Sequence, residues 1–522
     1  KCVFGTTDTM YQFETEWIVA RSCRFTKLLL RNQTCADAVV REKVLKCTGS
    51  TLQVLELCHD DEIDSVDPRP ELPMDDIYFD IAMYCPLIRE FFLWEEKVTG
   101  NLNLLIFKCA HLKHLELEKC RSIGNSTIKA ICNAPHLHTL ALSEASFESD
   151  TTHYSSYTSS SLRKLFADCA QLSGEGFVRL VGCFPFITSL CLGPIQGTHL
   201  VTVAQQCVHV KDANIRLEDS LSDDDARALC THWASIELLQ LRSEHSDRAA
   251  CSEQAVLLLL KGCGALLKLS VCRLDAPRSE EHLYYSKRRN RNMSPTSSNN
   301  SLSSLPSNTN SNTTTTSTVA HTSLSPYALP TATTSNTPSN VTDLFVDSLT
   351  QAHLNVVLAL CPRLNTLAIR HHSKITLPRN DINTHNTNGA AEYVLHLLNT
   401  SAVRKLHLSH IHSLSHSDLL PLINLQELQL AHIGKRVTND TILKVVQNNP
   451  NLNRISLYQC QGLSGSHLIL PLLQLCPKLH TFDYDEYRKS GQMPIAFSPP
   501  VRLLIDVVLY SFPHVKCFAV RF

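Results

Sequence analysis

"CAHLKHLELEKC", residues 109–120, sets two cysteines around a short run of alternating leucines. Alternation with a period of two marks a strand that turns one face to a core. With Leu115 as anchor, the pattern L-x-x-L-x-L returns at Leu28, Leu55, Phe91, Leu140, Leu165, Leu190, Ala213, Leu239, Leu269, Leu367, Leu406, Leu428, Ile455, Phe482 and Phe518, about sixteen copies in all. The three steps from Leu115 to Leu190 are 25 residues each, and steps of 22–27 are typical of the rest.

A period of that length belongs to leucine-rich repeats. Each unit is a strand, a turn and a helix such as "SHLILPLLQLC" at 466–476. One unit cannot cover its own apolar face, so units stack. The expected fold is therefore an α/β solenoid, curved, with a parallel sheet on its concave face and helices on its convex face. The cysteines keep the same phase. Cys85, Cys109, Cys207, Cys263, Cys361 and Cys476 each lie six residues before an anchor, and Cys120 and Cys460 each lie five after one. Cys109 and Cys120 are thus expected to be unbonded structural thiols on either side of one strand. An odd total of 21 cysteines with no C-x-x-C pair also argues against a secreted disulfide framework or a zinc ribbon.

Composition narrows the function. A formal net charge of −1 supplies no clustered cationic excess for nucleic acid or an anionic membrane surface. Apolar runs such as "AVLLLL" at 255–260 are too short to span a bilayer, so a cytoplasmic or nuclear protein is expected. No phosphate-binding loop, dinucleotide fingerprint, HExxH or GxSxG is present. The expectation is a non-enzyme without catalytic residues, cofactor or metal. The one histidine-rich run, "KLHLSHIHSLSH" with His407, His410, His412 and His416, contains no carboxylate or cysteine and reads as strand and loop positions rather than a metal site.

Two stretches interrupt the array. Residues 277–340, including "SPTSSNNSLSSLPSNTNSNTTTTSTVAHTS", are too polar and simple to pack and are expected to be a disordered loop extruded between repeats 1–276 and 341–522, the array resuming at a helix near Asp343. Residues 371–389 read likewise.

The stretch "NPNLNRISLYQCQGLSGSHLILPLLQLCPKL" at 449–479 resembles the cysteine-containing leucine-rich repeats of F-box and mitotic-exit-antagonist-like proteins, with Asn449 where that pattern places its first cysteine. "CAHLKHLELEKCRSIGNSTIKAICNAPHL" from Cys109 is a second match, and "VTNDTILKVVQNNP" carries the helix-leading Thr438 and Asn439. The resemblance implies a substrate-recognition adaptor of a cullin-type (SCF) ubiquitin ligase. It implies a Skp-family linker partner only if an F-box, which the repeats lack, exists upstream of Lys1. A non-catalytic scaffold or regulator, ribonuclease-inhibitor-like or GTPase-regulator-like, is the alternative.

In either case the partner is a protein, and it is expected on the concave strand positions one before, one after and three after each anchor. Those positions supply Phe92, Trp94, Glu116, Glu118, Arg216, Arg242, Arg370, Lys405, His407, Arg454 and Tyr458. Exposed aromatics beside acids, together with Arg and Tyr, are the residue types that anchor protein interfaces.

Overall fold

A computed structural model describes residues 2–3, 24–31, 38–58, 74–94, 98, 100–147, 157–168, 172–244, 249–273, 338–347, 349, 351–370, 402–411, 414–486 and 511–521. Among them, strands and helices alternate along the chain. β1 (Cys2–Val3), β2 (Lys27–Arg31), β3 (Val54–Cys58), β4 (Glu90–Trp94), β5 (His114–Glu118) and β6 (Thr139–Ala141) open the series. β7 (Lys164–Asp168), β8 (Ser189–Ile195), β9 (Asp212–Leu217), β10 (Leu238–Ser243), β11 (Lys268–Arg273) and β12 (Asp343–Val346) continue it. β13 (Thr366–Ile369), β14 (Lys405–Ser409), β15 (Glu427–Ala431), β16 (Arg454–Cys460), β17 (Thr481–Glu486) and β18 (Cys517–Arg521) complete it.

Each strand pairs in parallel with the next in sequence, and the register is the repeat itself. Leu28 stands opposite Leu55, Leu55 opposite Phe91, and so on without a slip through Phe482 opposite Phe518. Every anchor named above falls on this one ladder, so the chain is a leucine-rich-repeat solenoid. The ladder also holds Leu344, between Leu269 and Leu367, a copy the sequence pattern missed. Asp343 therefore begins β12 and not a helix, and the following helix starts at Gln351.

The helices lie on the side to which the anchors point. Those used below are α1 (Met74–Tyr84), α2 (Asn101–Lys108), α3 (Asn439–Asn448) and α4 (Gly465–Leu475). Their inward residues, such as Ile77, Leu105, Val445 and Leu472, form one apolar core with the anchors. Thr438 caps α3 in a box with Thr441, the local signal read from its sequence.

Residues 277–337 and 371–389, taken as insertions, lie outside the described residues. Pro338, Ser339 and Asn340, counted with the first insertion, belong instead to the array. The Ser339 N–H donates to Leu360 O at 2.7 Å and the Asn340 amide donates to Gly264 O at 3.0 Å. Composition marks them as polar but cannot show that their backbone is paired.

The cysteine phase has a physical cause. The last carbonyls of a helix lack intrahelical partners, and in four repeats the residue six before the anchor serves the repeat in front of it. Cys109 Sγ donates to Cys85 O at 3.5 Å and Cys207 Sγ to Phe184 O at 3.5 Å. Trp233 fills the slot with an indole, its Nε1–H donating to Cys207 O at 3.0 Å, and Asn449 Nδ2 donates to Leu422 O at 2.7 Å. In each pair donor and acceptor occupy the same slot of adjacent repeats. After the strand, Cys120 Sγ reaches Leu93 O at 3.5 Å and Cys460 Sγ reaches the equivalent Leu430 O at 3.6 Å. Cys109 and Cys120 are both buried and are not bonded to each other.

Burial pushes the Cys109 and Cys207 thiols up to about 12, whereas Cys517 is exposed. Only the thiolate is nucleophilic. Iodoacetamide at pH 8 is therefore expected to label Cys517 in the native protein and to spare Cys109 and Cys207 until denaturant is added. Peptide mapping reads the difference, and early labelling of Cys109 would contradict the ladder.

Candidate recognition surface

Residues beside the anchors leave the sheet on the side away from the helices. In β5, Leu115 and Leu117 are fully buried while His114, Glu116 and Glu118 are half-buried on the other face. The eleven residues expected to bind a partner all lie on this face, and the register gathers them into three groups rather than one.

The first group is on β4 and β5, where Phe92 stands opposite Glu116 and Trp94 opposite Glu118. Phe92 is not exposed as expected: 1% of it is accessible, and the His114 ring lies against it with centroids 5.0 Å apart. The same row is closed in β2 and β3, where Leu29 is 1% and Glu56 4% exposed. Alternation tells which face a side chain leaves by, not whether that face is covered. Glu116 sits 3.2 Å from His114 Nε2. Trp94 is half-buried, and its indole Nε1–H is enclosed without an acceptor.

The second group runs across β9 to β13 at the position three after the anchor. Arg216 stands opposite Arg242, and Arg242 opposite Cys272. Asp347 and Arg370 continue the row at the ends of β12 and β13, where Arg370 N donates to Val346 O at 3.0 Å. Arg216 Nε lies 3.0 Å from Glu244 Oε2, and Ser409 Oγ donates to Arg370 O at 2.6 Å. Gly193, at the same position of β8, leaves room for Arg216, since a Cβ there would come within 2.3 Å of the Arg216 Cβ. Asp347 is 6% exposed. Burial raises the Cys272 thiol, with Asp347 raising it further and Ser270, Arg242 and Arg370 opposing.

The third group centres on Glu427, between Lys405 and Arg454 in register. His407 Nε2 lies 3.3 Å and Arg454 Nε 3.5 Å from its carboxylate. Tyr458, half-buried, stands opposite Ala431 and Asp485. His407 foremost, then Arg454 and Lys405, hold the Glu427 carboxyl below its usual range against the opposing effect of burial. A lowered carboxyl contributes stability above its unfolded value, near 4.3, and loses it as pH falls through the folded value. Glu427→Gln is therefore expected to cost about 1 kcal/mol at pH 7 after solvent screening, and nothing once the wild-type carboxyl is protonated. Urea unfolding across that range measures it.

Sequence reasoning missed Cys272, Asp347, Glu244 and Glu427. Asp347 was hidden because its repeat was not recognised. Cys272 and Glu427 stood at positions the pattern already marked, and only the types expected of an interface were picked from them.

Of the histidine run, His410 stacks on His432 at 4.3 Å and His416 Nδ1 lies 2.9 Å from Thr441 Oγ1, while His412 lies outside the described residues. Among the described residues no three His, Cys, Asp or Glu side chains are grouped to hold a metal, and no helix is long and apolar enough to cross a membrane.

No protein-family model and no curated protein matches this chain. Among solved structures it is similar to that described as the crystal structure of the Rad7 and Elc1 complex in yeast. The TM-score is 0.38 at 13% identity, over 88% of this chain and 85% of that one. So distant a likeness carries none of the argument.

Proposed function

We propose that this chain is a protein-interaction solenoid that recruits a target protein to a cullin-type ubiquitin ligase, its helix-free sheet face being the recruiting surface. The observation that carries the reading is that Trp94, Arg242, Arg370, Arg454 and Tyr458 all leave the sheet on that one face, none of them filling an anchor position. Large planar side chains that already have part of their surface buried lose little freedom on binding, which suits them to anchor an interface. In this reading the chain binds and positions, and performs no chemical step itself.

The ubiquitin link is supported by the slot ladder. The cysteines that resemble F-box-associated repeats, Cys109, Cys120 and Cys460, are among the residues that tie repeat to repeat, and Asn449 does so from the slot where that pattern has a cysteine. A Skp-family linker then joins through an F-box. Affinity purification of the full-length protein from its native cells, read by mass spectrometry, tests this. A Skp-family linker and a cullin are expected beside the target. Recovery of a stoichiometric target with neither would replace the ligase reading by that of a scaffold.

A further inference from the structure

Two thiols meet where neighbouring helices pack. Cys230 lies in the last turn of the helix Asp223–His232, and Cys263 caps the C-terminus of the helix Glu253–Gly262. Cys263 Sγ donates to Cys230 Sγ at 3.6 Å, and Cys230 Sγ donates in turn to Leu258 O at 3.5 Å. Gly262 makes the meeting possible, since a Cβ there would come within 2.5 Å of Cys230 Sγ. A disulfide holds its sulfurs about 2.05 Å apart, so a contact at 3.6 Å stands about 1.6 Å from a bond.

The pair is asymmetric. Cys230 is half-buried, whereas Cys263 is buried. The hydrogen bond from Cys263 lowers the Cys230 thiol against the opposing effect of burial, while that same bond and then burial raise Cys263. The thiol nearer to solvent is thus the readier to form a thiolate, an arrangement that suits an attacking cysteine beside a resolving one. A second pair supplies the contrast. Cys183 caps the helix Gly174–Gly182 and is hydrogen-bonded to Cys132, in the last turn of the helix Asn125–Asn133, but both of these are buried.

We propose that Cys230 and Cys263 form a reversible oxidation site for hydroperoxides, closing to a disulfide that staples the helices on either side of β10. With hydrogen peroxide, the Cys230 sulfur attacks the O–O bond, giving a sulfenic acid and one water. The Cys263 sulfur then attacks the sulfenic sulfur, and its proton leaves with the hydroxyl as a second water. Two electrons pass from the two thiols to the peroxide.

Mass-spectrometric peptide mapping tests this. The purified chain is exposed to hydrogen peroxide, denatured in iodoacetamide and digested without reductant. A cross-linked peptide pair through Cys230 and Cys263 is expected, lost on treatment with dithiothreitol, with a Cys132–Cys183 link forming at least about tenfold more slowly. Dimedone, which traps sulfenic acids, should label Cys230 in Cys263→Ser and leave Cys263 unlabelled in Cys230→Ser. Comparable rates for the two pairs would mean that oxidation follows loosening of the array, and would overturn the proposal. So would the absence of the cross-link, Cys230 joined to another cysteine, or Cys230 oxidised to a sulfinic acid with Cys263 still a thiol. The wild-type map decides alone if a serine variant fails to fold. No partner protein takes part, so the result stands apart from the recruiting function.

Discussion

Replacing Asn449 by alanine is expected to lower stability by about 3 kcal/mol. Asn449 is fully buried and makes three bonds, two between repeats and one to its own helix: Oδ1 accepts from Leu425 N at 2.8 Å, and Nδ2 donates to Leu422 O and, locally, to Val445 O, each at 2.7 Å. Alanine strands a buried N–H and leaves two carbonyls short of a donor, at about 1–3 kcal/mol for each unsatisfied group and with partial relaxation. Asn449→Cys gives the sharper comparison. A thiol restores the donor to Leu422 O, as Cys109 does for Cys85 O, but offers only a weak acceptor to Leu425 N. It should fall between wild type and alanine. Equal losses for the two variants in urea unfolding would mean that the slot is filled for volume alone.

Leu344→Ala is expected to cost about 2–5 kcal/mol, the range for emptying a close-packed leucine site. Leu344 is fully buried, and its strand is hydrogen-bonded to β11 on one side and β13 on the other. The repeat that follows residues 277–337 therefore bears core load like any other, and Leu428→Ala at an uninterrupted repeat should cost a comparable amount. Stability within about 0.5 kcal/mol of wild type would show that β12 is not part of the core.

The anchors were legible because the fold writes itself twice in each repeat, once as alternation in the strand and once as the roughly 25-residue step. Leu344 escaped because "VTDLFVDSL" has valine where leucine was sought and follows a low-complexity stretch, and Asp343 ahead of an apolar run imitates a helix cap. The thiol phase was legible, but its reason was not. That Cys, Trp and Asn fill one slot with one bond becomes clear only when neighbouring repeats are laid side by side. The recognition face was half legible. Period two assigns Phe92 and Trp94 to the same side, yet one is sealed and the other partly open, because cover comes from other parts of the chain. The meeting of Arg242 with Cys272 and of Lys405 with Glu427 depends on register between strands far apart in sequence.

The helix side of the array carries a rival surface. Phe79 and Met83 on α1, Leu87 after it, and Phe107 on α2 are exposed, Phe107 to 78%. Hydroxyl-radical footprinting of the purified chain with and without its recovered target separates the two faces, since Trp, Tyr, Met and Phe all react when solvent reaches them. Binding is predicted to protect Trp94 and Tyr458 while Met83 and Phe107 react as in the free protein. Protection of Met83 and Phe107 with Trp94 and Tyr458 unchanged would place the target on the helices and contradict the account.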